Sequence, residues 1–80
     1  VAISVFPNPT TGIFTVAVTG LNNDVELSVM NYDGRLIHTE TLENVSTYEH
    51  SFNFTQYPTG VYFLRLQGDN FLKVERIVVR

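Results

Sequence analysis

Few side chains in this 80-residue chain are suited to chemistry. The histidines are His38 and His50, and His38 and Glu40 share one face of any extended segment that holds them both. A neighbouring strand carrying His50 would complete a partial metal site or a base–carboxylate pair, but a metal centre needs three or four converging ligands. The expectation is therefore that these are solvent-facing polar residues on the outer side of a sheet. Glu40, Glu43 and Glu49 offer paired carboxylates, yet glycoside hydrolysis sets two carboxyls across a cleft for which so small a chain has little room. Asn22-Asn23-Asp24 and Asp69-Asn70 are rich in the oxygen ligands calcium prefers, although Asn and Asp in such runs more often bond their own backbone in plain turns. No serine stands in a nucleophile-elbow context. Asn44-Val45-Ser46 and Asn53-Phe54-Thr55 match the N-glycosylation pattern, whereas Asn8-Pro9-Thr10 is excluded by its proline. The expectation is of no enzyme, no catalytic residue, no metal and no other cofactor.

Composition narrows the partners. The chain has no cysteine, so disulfides and thiol chemistry are out of reach. Its formal net charge is −3, and Arg35, Arg65, Lys73, Arg76 and Arg80 are its only lysines and arginines. They make no basic stripe for phosphates, which argues against nucleic-acid binding. Apolar runs are no longer than a few residues, as at Ile77-Val78-Val79, which argues against membrane insertion. The chain begins directly in strand-like Val1-Ala2-Ile3, so it reads as a piece of a longer protein whose export leader would lie upstream.

The elements that must position these residues are strands. Phe14, Val16 and Val18 alternate with Thr15 and Ala17. Val25, Leu27 and Val29 alternate with Glu26 and Ser28, and Phe52 and Phe54 flank Asn53. Tyr62, Leu64 and Leu66 alternate with Phe63 and Arg65. Period two means one face on a core and one in water. Turn residues punctuate these runs, and Asp33-Gly34 predicts a two-residue type I′ hairpin. Strands are expected at about 2–6, 13–19, 25–32, 35–42, 48–54, 61–67 and 71–79. Seven short antiparallel strands point to an all-β, immunoglobulin-like sandwich, one domain over residues 1–80. The expected core is Phe14, Val16, Val18, Val25, Leu27, Val29, Ile37, Phe52, Phe54, Tyr62, Leu64 and Leu66. The last strand is apolar on both faces, with Leu72, Val74 and Val78 on one and Phe71, Ile77 and Val79 on the other. It is either covered twice or leaves an exposed apolar docking surface.

Three separated segments remain. They are Val5-Phe6-Pro7-Asn8-Pro9-Thr10-Thr11-Gly12, Met30-Asn31-Tyr32-Asp33-Gly34-Arg35-Leu36-Ile37, and Tyr57-Pro58-Thr59-Gly60-Val61-Tyr62-Phe63-Leu64-Arg65-Leu66. Lys73 and the tail Arg76-Ile77-Val78-Val79-Arg80 follow. Each has a local reason. Pro7 and Pro9 hold Phe6 and Asn8 extended, Gly12 permits a reversal, and Pro58 with Gly60 delivers Tyr62 to the core. Lys73, Arg76 and Arg80 put positive charge on a final strand that charge also guards against aggregation.

Taken together, in this order and spacing, the segments resemble the type A C-terminal sorting domain of the type IX (Por) secretion system of Bacteroidota. Tyr57 stands where leucine is commoner, and Arg76 and Arg80 where lysines are often found. The resemblance implies a secretion address that performs no chemistry. It implies an upstream cargo in the same parent chain, recognition by the type IX translocon, cutting by a surface sortase, and export through the periplasm to the outer-membrane surface or beyond. Carried over residue by residue, the recognition set is Pro7, Asn8, Pro9, Gly12, Gly34, Arg35, Pro58, Gly60, Tyr62, Lys73, Arg76 and Arg80. Docking of residues 61–80, for instance by strand addition at a sheet edge, is the expected mode. The aromatic content also permits a carbohydrate-binding or adhesive accessory module.

Overall fold

The alternating runs extend into seven strands: β1 (Ala2–Phe6), β2 (Ile13–Thr19), β3 (Val25–Asn31), β4 (Leu36–Leu42), β5 (Thr47–Asn53), β6 (Gly60–Gln67) and β7 (Leu72–Val79). The computed structural model describes residues Val1–Arg80. Every expected strand is present, with its bounds within a residue of those read from periodicity. The strands form two antiparallel sheets, ordered β1-β2-β5 and β4-β3-β6-β7. Stacked face to face they make an all-β sandwich of the immunoglobulin type, in which the chain crosses between layers after β2, β4 and β5. No helix is long and apolar enough to cross a membrane.

Both inner faces feed one core. Phe14, Val16 and Val18 of β2 meet Val25, Leu27 and Val29 of β3 and Tyr62, Leu64 and Leu66 of β6. Phe52 and Phe54 close it from the β5 side, with the Phe14 ring 5.6 Å from Phe52 and 5.0 Å from Phe54. Each such side chain contributes about 1.5–3 kcal/mol on burial. Leu21, Leu42, Ile77 and Val79 join them.

Ile37, expected in the core, is only half-buried. The register slips there: Val29 faces His38 but Met30 faces Leu36, so Ile37 is the extra residue of a bulge. β7 is not covered on two sides. Ile77 and Val79 point inward, while Leu72 and Val74 stay 59% and 54% exposed because no third layer overlies that sheet. His38 and Glu40 do not lie on the outer side either. They pair with Val29 and Leu27, whose side chains face the core, so they line the open seam between β4 and β5.

Candidate recognition site

The turns after β1, β3 and β5 and the end of β7 all lie at one end of the sandwich. Phe6 lies beside Thr15 and Ile13 beside Asn53 in one sheet; Asn31 lies beside Tyr62 and Gly60 beside Val79 in the other. The three sequence segments therefore converge, although some fifty residues separate the first from the last.

The first segment is fastened to β7. Pro7 and Pro9 have no N–H to offer, and both the Phe6–Pro7 and Asn8–Pro9 peptides are cis. The Asn8 side chain substitutes for a peptide unit. Its Nδ2 donates to the Arg76 carbonyl at 2.7 Å, and its Oδ1 accepts from the Val78 N–H at 3.0 Å. Two residues on, the Thr10 N–H donates to the Val78 carbonyl and the Arg80 N–H donates to the Thr10 carbonyl, at 2.8 and 2.9 Å. Thr10 is itself buried. Its hydroxyl donates to the Ile13 carbonyl and accepts from the Gly12 N–H. Gly12 has φ +134°, and a Cβ there would meet the Thr55 methyl at 2.8 Å. Its carbonyl accepts from the Phe54 N–H at 2.7 Å. This loop thus joins the two sheets through backbone and amide bonds.

The second segment turns differently from expectation. Asp33 does not have the positive φ that a type I′ turn demands; Gly34 alone does, at +87°. The Gly34 N–H donates to the Asn31 carbonyl and the Asn31 N–H donates to the Arg35 carbonyl, the pattern of a type I turn followed by a left-handed glycine. Asn31, which sequence reasoning passed over, selects it: its Oδ1 accepts from the N–H groups of Asp33 and Arg35 at 3.0 and 2.8 Å. An Asn that bonds the backbone two residues on is the only available signal.

The third segment is a tyrosine corner. The Tyr62 hydroxyl donates to the Pro58 carbonyl at 2.6 Å, tying the start of β6 to the loop before it. Burial raises the Tyr62 pKa, so the phenol stays protonated and able to donate. The Phe54 ring lies 4.9 Å from Tyr57 and 5.2 Å from Tyr62. Between this corner and the second segment lies an open cleft of about 540 Å³, lined by Asn31, Tyr32, Arg35, Tyr57, Pro58 and Tyr62 among others.

Eleven of the twelve residues carried over from the resemblance lie at or near this end. Pro7, Asn8, Pro9 and Gly12 form the loop, Gly34 and Arg35 the hairpin, and Pro58, Gly60 and Tyr62 the corner; Arg76 and Arg80 are on the fastened half of β7. Lys73 is the exception. It lies beside Leu66 at the far end of β7, about 23 Å of extended strand from Arg80, so the three cations form no single cluster.

The histidine region is a packing seam. His38 Nε2 lies 2.8 Å from Glu40 Oε1, which also accepts from the Tyr48 hydroxyl at 2.8 Å. Both histidine rings pack edge-on against Phe52. Partial burial alone would raise the Glu40 pKa, but the bonds from His38 and Tyr48 outweigh it and hold the carboxyl below its ordinary value. No group of three His, Cys, Asp or Glu is placed to hold a metal ion.

Fold and surface together define an immunoglobulin-like module whose constrained features are turns and a strand end. Comparison with protein families gives the particular kind: residues 4–80 match the secretion system C-terminal sorting domain. The chain belongs to that family, and so carries a C-terminal sorting signal of type IX secretion. A search of curated proteins finds no match.

Proposed function

We propose that residues 1–80 act as one sorting domain, read in folded form by the type IX translocon at the end where the three segments meet. Pro7, Asn8, Pro9, Gly12, Gly34, Pro58, Gly60 and Tyr62 fix the shape of that end; Arg35, Arg76 and Arg80 supply its charge. Lys73, remote from it, acts on β7 alone. An upstream cargo follows the domain through the periplasm and across the outer membrane. A surface sortase then cuts upstream of the domain and attaches the cargo to the cell surface. The domain is the substrate of that chemistry and performs none.

The observation that carries the reading is the convergence of distant segments on one preformed surface, fastened to the last strand by Asn8 and Thr10. Such a surface exists only when the whole chain is folded, which lets a receptor distinguish folded from unfolded cargo tails. The test fuses residues 1–80 behind a signal peptide and a fluorescent reporter in a type IX-competent host. The reading expects the reporter at the surface or in the medium; reporter held in the periplasm with the domain folded contradicts it.

A further inference from the structure

β7 is an edge strand with two unlike halves. Its N–H and C=O groups alternate between β6 and the open side, as in any antiparallel ladder. Because Val78 turns both groups outward to the Asn8–Thr10 loop, Leu72, Val74 and Arg76 turn theirs outward as well. The loop covers the edge from the Arg76 carbonyl to Arg80. The edge from Leu72 to the Arg76 N–H has no partner strand, and its outward side chains Leu72 and Val74 are exposed. An uncovered edge with exposed apolar side chains is a template for pairing.

We propose that this free half of β7 pairs antiparallel with the same half of a second copy of the chain, about a twofold axis through Val74. That register sets Val74 against Val74, Leu72 against Arg76, and Lys73 against Glu75. The two Val74 residues exchange both of their backbone bonds, and each Arg76 N–H meets the other copy's Leu72 carbonyl. Arg76 lays its apolar stem along Leu72. Lys73 and Glu75 decide for a second copy over another strand. Both are exposed, neither has an ion-pair partner within the chain, and this register places each opposite the other's charge on both sides of the axis. Registers shifted by two residues set Glu75 against Glu75 or Lys73 against Lys73 and lose this match. The axis sends the two recognition ends in opposite directions, so pairing leaves both uncovered and does not rest on the sorting reading. The short seam makes a weak dimer, between micromolar and millimolar in dissociation constant.

Sedimentation equilibrium of the 80-residue chain tests this. A reversible monomer–dimer equilibrium is expected, weakened by salt. Lys73→Glu and Glu75→Lys should each weaken it roughly tenfold by setting like charges opposite on both sides of the axis. The double reversal Lys73→Glu/Glu75→Lys should restore it. Val74→Pro removes an N–H that β6 does not use, and should leave a folded monomer by circular dichroism. A wild-type chain that stays monomeric at millimolar concentration overturns the proposal, as does a dimer indifferent to both single reversals.

Discussion

The two ends of the sandwich are built on different plans. At the end where the three segments meet, side chains bond the backbone: Asn8 grips β7, Thr10 bonds Ile13 and Gly12 within its own loop, Asn31 shapes its hairpin, Asn53 caps the start of the next loop, and Tyr62 holds Pro58. At the other end the turns after β2, β4 and β6 carry as many polar residues, yet Asn22, Asn23, Asp24, Asn44 and Asp69 only line an open dip of about 340 Å³. That end is tied by backbone bonds from Leu21 to Ser46 and from Gly68 to Phe71. Polar turn composition alone therefore says little. What separates the ends is whether the side chains are used to fix the backbone, which is what the proposed recognition by shape calls for.

Substitutions that attack the fixed end should show the largest effect. Gly12→Ala forces a Cβ into Thr55 at a positive φ, and should lower unfolding free energy by about 3 kcal/mol in urea denaturation. Asn8→Ala removes both amide bonds to β7 and should lower stability by about 1.5 kcal/mol. It should also speed hydrogen exchange at the Val78 amide, while the Leu27 and Leu64 amides change less. If Val78 exchanges as before, the loop does not hold the strand.

Midway between the ends, the seam offers a smaller, pH-dependent effect. Glu40 titrates below its unfolded value, so its stabilisation is complete above about pH 4.5 and fades as pH falls through the folded value. Thermal midpoints of the wild type and Glu40→Gln should differ near neutral pH and converge once pH falls below the folded value of Glu40. A gap that persists in acid would remove the carboxylate from the account. Smallest of all, Asn23→Ala at the far end should change stability by less than about 0.5 kcal/mol in the same urea titration.

The strands were legible because burial enforces alternation, and the inward residues of β2, β3 and β6 announce themselves. Nearly all the residues that the resemblance singles out lie at the end where the three segments meet, with Lys73 the exception. What the sequence concealed was pairing. Asp33-Gly34 carries the dipeptide of a type I′ turn, but Asn31 offers its side-chain Oδ1 to two N–H groups and draws the loop into a longer turn. At the resulting slip Ile37 is only half-buried, packed against the margin of the core. His38 and Glu40 read as outer-face residues because both are polar; they face inward because β4 is an edge strand whose inner side overhangs the seam. Thr10 looks like any loop threonine, and only the fold shows it buried and bridging the sheets. Lys73 shares a strand with Arg76 and Arg80, yet strand length keeps it from joining them.

Charge reversal at one residue of each end, chosen where no side-chain bond is lost, tests most directly whether the fixed end is the one that is read. Arg35→Glu and Asp69→Lys both alter exposed side chains and should leave the folded domain equally stable. In the reporter fusion, Arg35→Glu should leave fluorescence in the periplasm while Asp69→Lys is exported like the wild type. Export of the first together with retention of the second would place recognition at the opposite end and contradict the account.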